Sequence, residues 1–257
     1  MMQNIQENAD NLAAHLNDKV AHMSDAEKKY WKDQAALLDP EAYMLLAGSQ
    51  TPDWSITVPQ GETWYALNLW NVKAGSSNLL FQRINDVRRP LILPAGTTLQ
   101  AAPGMTNPFA YICRPASVFN NDPRYDSDPK GLYYSRLERL KSLTLYELDV
   151  YAPAGSQRGV SVTADFPTDF EKGLVVLVSN HDLAWVILDG PYTGINTLDE
   201  VSDDHQNRTA EAVMIPFKRS IFTGIRGRVA SVLGNPSNFS SLEGRGAIKY
   251  FKLPADW

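Results

Sequence analysis

The chain has 257 residues, with 24 Lys and Arg against 29 Asp and Glu, a net charge of −5, 44% hydrophobic residues and one cysteine. This length allows one large or two moderate domains, each able to bury its own core. The composition excludes a disulfide scaffold and disfavours a disordered chain. The small negative net charge provides no general basic field, so nucleic-acid binding is not expected.

Residues 1–48 are predicted to form a helical arm, because they are rich in helix-forming residues and contain no glycine before Gly48. Apolar residues in the first half recur at spacings of seven, four, four and three, which places them on one stripe of a helix. These residues are Ile5, Leu12, Leu16, Val20 and Met23. A stripe of this kind needs a partner to cover it, so we expect the arm to dock onto another protein.

Two further helix starts are predicted in the same arm. Ser24 and Glu27 have the spacing of a capping box, which opens a second helix through Tyr30 and Trp31 as far as Leu38. Asp39-Pro40 then has the pattern of an N-cap followed by proline at the first helical position. We expect this third helix to end at Gly48.

From Thr51 onward, short apolar runs alternate with Pro and Gly, as in all-β proteins. Three runs end in Pro-x-Gly, at Pro59-Gln-Gly61, Pro94-Ala-Gly96 and Pro153-Ala-Gly155. We predict type I turns there, with proline at the second position and glycine at the fourth. The polar stretch from Asn120 to Gly131 has no aliphatic apolar side chain and is predicted to be a loop or linker.

Further buried strands are predicted downstream, over 174–178, 184–188, 212–217, 221–225, 229–233 and 248–253. A short helix is predicted over 136–140. The expected fold is therefore mainly β, with the helical arm followed by one or two antiparallel, jelly-roll-like β-sandwich domains. The division is an arm over 1–48, a first β-part over 49–120, a linker over 121–131 and a second β-part over 132–257.

Candidate chemistry is sparse in this sequence. His15 and His22 lie seven residues apart, about 10 Å along a helix, and cannot share one metal ion. His181 fits a hairpin tip, and the acidic stretch from Asp199 to His205 fits a solvated loop better than a Ca²⁺ site. No nucleophile, phosphate-loop or metal-binding motif is present, so we expect no catalytic residue, no cofactor and no metal.

Several single features have structural interpretations. Cys113 has no nearby histidine to activate it and is predicted to be a small core residue. The stretch from Gly224 to Arg228 is predicted to be a tight turn, and Trp54, Trp64, Trp70 and Trp257 to lie in the core or at subunit contacts. The first thirty residues contain no apolar run of signal-peptide length, and no run reaches the roughly 20 residues of a membrane helix.

The polar helical arm followed by a β-region with Ile56-Thr-Val-Pro-Gln-Gly61 and Leu91-Ile-Leu-Pro-Ala-Gly96 resembles structural proteins of tailed bacteriophage virions. In these proteins a jelly roll or related sandwich is often presented as a trimer, in head fibres, cement proteins or tail-associated components. The resemblance implies a location on the virion after assembly in the host cytoplasm. It also implies self-association, favouring a trimer, and contact with major capsid, portal or tail proteins.

The expected function is thus non-enzymatic: a virion component that docks through its N-terminal helices and oligomerises through its β-domains. Partner binding is assigned to the stripe residues together with Tyr30 and Trp31. Two alternatives remain open. A carbohydrate-binding or receptor-recognition module would present clustered aromatic side chains, and a cupin-like enzyme would need histidines converging inside a barrel, where only His181 and His205 are available.

Overall fold

The computed structural model describes residues 23–47, 54–75, 79–81, 90–105, 108–152, 160–178, 183–189, 197–200, 212–229 and 244–257. The described chain contains three α-helices, which are α1 (Asp25–Ala36), α2 (Arg124–Ser127) and α3 (Pro129–Leu140). It also contains two 3₁₀-helices, a first one at Pro40–Ala42 and a second one at Pro115–Asn121. None of the described helices is long and apolar enough to cross a membrane.

Most of the regular structure is strand. The first eight strands are β1 (Tyr43–Ala47), β2 (Ser55–Thr57), β3 (Thr63–Trp70), β4 (Val72–Ala74), β5 (Leu79–Phe81), β6 (Leu91–Pro94), β7 (Thr98–Ala101) and β8 (Phe109–Cys113). The other eight are β9 (Leu145–Ala152), β10 (Val160–Asp165), β11 (Lys172–Val178), β12 (Leu183–Asp189), β13 (Thr197–Glu200), β14 (Ala212–Lys218), β15 (Gly224–Val229) and β16 (Gly244–Leu253).

The described strands form four four-stranded sheets, and every described pairing is antiparallel. Sheet A has the order β1-β8-β3-β6, and sheet B has the order β2-β7-β4-β5. Sheet C has the order β14-β11-β16-β9, and sheet D has the order β10-β15-β12-β13. The protein is therefore mainly β with antiparallel sheets and a few helices, as predicted.

Sheet A packs on both of its faces. Alternate residues of its strands point to opposite sides, as the two-residue period of a strand requires. One side shares a hydrophobic cluster with Val72, Ala74 and Leu99 of sheet B. The other side contributes Tyr43, Leu67 and Tyr111 to a cluster that also contains residues of the helices and of sheet C. The two faces explain why β8 is buried along its whole length.

The prediction of a third helix from Asp39 to Gly48 is wrong beyond the first turn. Asp39 does cap a helix and Pro40 does lie at its start, but that helix is a 3₁₀-helix of three residues. Residues 43–47 then form β1, which pairs with β8 from Tyr43–Cys113 to Ala47–Phe109. Met and Leu suit a helix locally, but pairing with a buried strand overrides that preference because both faces of β1 meet a core.

The Pro-x-Gly corners are turns, but of another type than predicted. The Glu62 N–H donates to the Pro59 carbonyl and the Thr97 N–H to the Pro94 carbonyl, so each proline occupies the first turn position. Gly61 and Gly96 then occupy the third position, both with φ of +80°. This geometry is that of a type II turn, which favours glycine because other residues are strained at positive φ. The corner predicted at Pro153 lies outside the described residues.

The predicted loop over 120–131 is helical for most of its length. The second 3₁₀-helix runs to Asn121, and α2 and α3 follow with one residue between them. Tyr125 of α2 is fully buried, so the segment is part of the core and does not serve as an exposed linker. The helix predicted over 136–140 is confirmed as the second half of α3. The division into domains stays a prediction.

The strands downstream agree with the prediction in part. Strands β11, β12, β14 and β16 contain the predicted runs. Residues 221–223 precede β15 as a turn and coil, and the tight turn predicted from Gly224 to Arg228 lies within β15. In β11 a side chain at Gly173 would lie 2.3 Å from the Phe217 ring, so only glycine leaves room for this buried aromatic residue.

Candidate functional site

Four aromatic side chains form a continuous patch on the seam between α1 and α3. Tyr30 and Trp31 come from α1, and Tyr133 and Tyr134 come from α3. We call these four residues the aromatic surface. The Trp31 ring centroid lies 5.1 Å from that of Tyr30 and 5.6 Å from that of each α3 tyrosine. Ring centroids at these distances attract each other, so the four rings hold one another in place.

The packing of α1 against α3 determines which rings face outward. Ala35 and Ala36 at the end of α1 are fully buried, and Leu132 and Arg136 of α3 are buried on the same side. Trp31 lies one turn before Ala35 and is half-buried. Tyr30 and Tyr134 point away from the core and are 54% and 48% exposed. The aromatic surface therefore has a fixed base and two rings open to solvent.

Charged groups border the aromatic surface. The Lys130 ammonium lies 5.3 Å from the centre of the Trp31 ring, within the range of a cation–π contact. The Glu27 carboxylate accepts hydrogen bonds from the Ser24 amide and hydroxyl. These bonds, with a smaller contribution from Lys130, hold the pKa of Glu27 below its usual value. The rim thus carries both signs of charge around an apolar centre, as protein interfaces commonly do.

A cavity of about 380 Å³ lies on another side of α1, towards the β2–β3 turn and the second 3₁₀-helix. Two of its three lysines are already engaged with carboxylates: Lys29 contacts Asp33 at 2.8 Å, and Lys32 contacts Asp126. The Tyr65 hydroxyl also donates to Asp33 at 2.8 Å. These pairings leave a wall of mixed charge with no dominant sign, and they define no ligand class.

A buried ion pair on the side that faces the core fixes the helices that carry the aromatic surface. The Arg136 guanidinium donates to Asp39 at 2.8 Å, and both side chains are less than a tenth exposed. Arg136 also donates to the Ala35 carbonyl and to the Tyr125 hydroxyl, at 2.7 and 2.8 Å. The Trp257 indole N–H donates to the Leu38 carbonyl at 2.8 Å. These contacts all lie within the protein, and of the Arg136 guanidinium only Nε lacks a hydrogen-bond partner. We therefore assign this network to structure and not to chemistry.

The residues predicted to bind a partner are placed as follows. Ile5, Leu12, Leu16 and Val20 lie outside the described residues, and Met23 is half-buried just before α1. Tyr30 and Trp31 lie together on the aromatic surface. Tyr133 and Tyr134 were not predicted, although two adjacent tyrosines just before the helix predicted over 136–140 are a signal that points to an aromatic pair.

The other predicted candidates are mostly core residues. Cys113 is fully buried, as predicted, and burial raises the pKa of its thiol well above the usual value. Trp64 and Trp257 are buried, and Trp54 packs against the core shared by sheets A and B. Within the ranges that the structure describes, no three His, Cys, Asp or Glu side chains lie close enough to hold a metal ion. His15, His22, His181 and His205 lie outside those ranges.

Comparisons with known proteins do not identify a family. No protein-family model and no curated protein matches the chain. Among solved structures, it is similar to the regulatory subunit of a cAMP-independent protein kinase A from Trypanosoma cruzi bound to guanosine. The identity is 7%, the TM-score is 0.19, and the match covers 90% of this chain and 83% of that chain.

The corresponding regulatory subunit from Trypanosoma brucei is similar at 9% identity and a TM-score of 0.17. That match covers 80% of this chain and 86% of the other. At these TM-scores the likeness carries no argument about either fold or function.

Proposed function

We propose that this protein is a non-enzymatic structural component of a phage virion that docks onto a neighbouring protein through its N-terminal helices. The aromatic surface supports the docking part of the proposal. The virion part depends on the resemblance of the helical arm and of the corner sequences at 56–61 and 91–96 to virion proteins. The expected neighbours are major capsid, portal or tail proteins, together with further copies of the same chain.

The aromatic surface suits protein contact for two physical reasons. A buried tyrosine or tryptophan removes roughly 150–250 Å² from water, which is a large gain for a residue with only two side-chain torsions. The four rings also contact one another before binding, so little side-chain freedom remains to be lost. Interfaces are enriched in Tyr and Trp at their energetic centre for these reasons.

The position of the aromatic surface adds to this argument. It begins at Tyr30, six residues after Ser24, which caps α1 and follows the predicted apolar stripe of residues 5–23. The described large hydrophobic residues with high exposure elsewhere are Ile92, Leu145, Tyr146 and Met214, which belong to three different strands. Among the exposed aromatic residues of the described chain, only Tyr30 and Tyr134 lie on helices, where they share a patch with other described rings.

The test combines particle association with a matched control. The double variant Tyr30→Ser/Tyr134→Ser is compared with Ile92→Ser, which removes a side chain that is 61% exposed but lies on β6. Particles from cells that carry the gene are purified, and the bound chain is quantified with an antibody and located by immunogold electron microscopy. We expect wild type and Ile92→Ser to label particles and the double variant to be lost from them.

Two results would contradict the proposal. If no particle carries the wild-type chain, the virion assignment is wrong. If the double variant joins particles as well as Ile92→Ser does, the docking assignment is wrong. Native mass spectrometry of the free protein tests the expected trimer in the same preparation, and a single-copy mass would contradict it.

A carbohydrate-binding or receptor-recognition role is the second candidate, and the exposure of Tyr30 and Tyr134 favours it, since sugars also stack on open aromatic rings. A glycan array distinguishes the two roles. Binding of a defined glycan that is lost in Tyr30→Ser/Tyr134→Ser and kept in Ile92→Ser would support recognition of a sugar. An array with no signal would remove this candidate.

A further inference from the structure

The first 3₁₀-helix is held to sheet C by one carboxylate and two lysines. Glu41 Oε1 lies 3.3 Å from Lys172 Nζ, and Glu41 Oε2 lies 3.3 Å from Lys218 Nζ. Each oxygen therefore has its own lysine. The lysine side chains are 20% and 25% exposed, and that of Glu41 is 38% exposed, so the group is partly shielded from solvent.

The register of sheet C makes this arrangement unusual. Lys172 and Lys218 are directly opposite each other in the pairing of β11 with β14. They are also the only charged residues of these two strands. Like charges directly opposite in a sheet repel each other. Glu41 lies between them and converts a repulsive pair into two attractive contacts.

We propose that Glu41 is a proton-sensitive clip that holds the α1–β1 connection against sheet C while its carboxylate is ionised and releases it when the carboxylate is protonated. The 3₁₀-helix that carries Glu41 joins α1 to β1, so the clip fixes the position of the helix that bears Tyr30 and Trp31. Protonation would remove both attractions and leave the lysine pair unbalanced. The inference does not depend on the proposed function.

Other charged groups near the 3₁₀-helix do not take over this role. Asp39, at its N-cap, is held by Arg136 at 2.8 Å. The second 3₁₀-helix, which packs against the first, has no charged residue of its own, and Arg114 at its start lies over the Trp64 ring. From β11 and β14 only the two lysines are available. Comparing Glu41→Gln with wild type at each pH therefore isolates the part of the acid response that belongs to Glu41.

The electrostatics agree with this geometry. Burial acts to raise the pKa of Glu41, but attraction to Lys218 and Lys172 outweighs it and lowers the pKa below the ordinary value. A carboxyl group with a lowered pKa stabilises the folded state above its unfolded pKa, about 4.3 for glutamate. That contribution is lost as the pH falls through the pKa of the folded state.

The test is a double-mutant cycle with Glu41→Gln and Lys218→Met. At pH 7 we expect Glu41→Gln to raise the equilibrium constant for unfolding about two- to fivefold, the range of a partly exposed ion pair. Lys218→Met should be neutral or destabilising in wild type. In the Glu41→Gln background it should be stabilising, because it removes one of two facing lysines. This difference in the effect of Lys218→Met between the two backgrounds is what a glutamate that does not act on the lysine pair would not produce.

A local measurement follows opening of the junction itself. The Arg114 amide donates to the Ala42 carbonyl at 2.8 Å and reports on the attachment of the 3₁₀-helix. We expect its hydrogen exchange to be two- to fivefold faster in Glu41→Gln than in wild type at pH 7, and this ratio to fall towards one as the pH is lowered to 3. Comparing the two proteins at the same pH cancels the intrinsic pH dependence of exchange.

The control is Glu138→Gln, which removes an exposed carboxylate paired with Lys141 at 2.6 Å. It should leave Arg114 exchange unchanged and show no coupling to Lys218→Met. The proposal is wrong if Lys218→Met has the same effect in both backgrounds, or if the Glu41→Gln effect on exchange is the same at pH 7 and pH 3.

Discussion

The two sides of α3 differ in how completely their side chains are engaged. On the inner side, Arg136 reaches four parts of the chain through hydrogen bonds and is almost fully buried. On the outer side, Tyr133 and Tyr134 meet only Trp31 and each other among the described ring contacts. The inner side explains why the helices hold together, and the outer side is available for a partner. The docking contact that we propose lies on the outer side.

The largest effect is expected from Arg136→Met on the inner side. This change leaves the Asp39 carboxylate buried without its cation, which should lower the free energy of unfolding by about 3–5 kcal/mol. Urea unfolding followed by circular dichroism measures it. The double variant Asp39→Asn/Arg136→Met should recover part of the loss, because no buried charge is left. Equal stability of Arg136→Met and wild type would show that the ion pair does not hold the helices.

A smaller loss is expected from Leu132→Ala, which removes a side chain that is 1% exposed in the hydrophobic cluster that α1, α3 and sheet C share. Deleting such a side chain costs about 2–4 kcal/mol through lost burial and the cavity that remains. Thermal or urea unfolding checks this value. A cost below about 1 kcal/mol would mean that the inner side of α3 is loosely packed.

Ser24→Ala tests how α1, the helix that packs against α3, begins. The Glu27 amide donates to the Ser24 hydroxyl, and the Glu27 carboxylate accepts from the Ser24 amide. Losing the hydroxyl should cost about 1 kcal/mol. The helical signal in circular dichroism should be retained at low temperature, and the loss should be seen in the unfolding midpoint. Ser135→Ala, elsewhere on α3, serves as a comparison outside a capping position.

The smallest effect on stability is expected on the outer side. Tyr134→Ala removes a half-exposed ring from the middle of a helix. The lost ring contacts with Trp31 and Tyr133 are offset by the higher helix propensity of alanine, so the free energy of unfolding should stay within about 0.5 kcal/mol of wild type. Particle association should nevertheless fall. A stability loss as large as that of Leu132→Ala would place Tyr134 in the core and remove the distinction between the two sides.

The sequence predicted features that depend on neighbours along the chain. The capping box at Ser24 and Glu27 is confirmed, because its partners are three residues apart and no other part of the protein is needed. The N-cap and proline signal at Asp39-Pro40 is confirmed as well. The same signal occurs at Asp128-Pro129, where Asp128 accepts from the Gly131 amide and opens α3. It was missed there because the surrounding polar residues have the composition of a loop.

Features that depend on distant parts of the chain could not be predicted. Residues 43–47 form a strand because β8, more than sixty residues later, offers a buried partner. The aromatic surface requires that α1 and α3 pack side by side, so Tyr30 and Trp31 were found in one helix and their α3 neighbours were not. The Glu41 contacts with Lys172 and Lys218 likewise depend on the placement of sheet C.

The contact between Tyr111 and β14 has a consequence for assembly. Strand β14 is an edge strand of sheet C in the described part of the chain, and an exposed edge strand can pair with a strand from another molecule. Pro216 has no N–H to offer such a strand, and its carbonyl already accepts from the Tyr111 hydroxyl at 2.6 Å. Strand addition at this point is blocked from within the molecule, so copies that associate must do so without extending sheet C across Pro216.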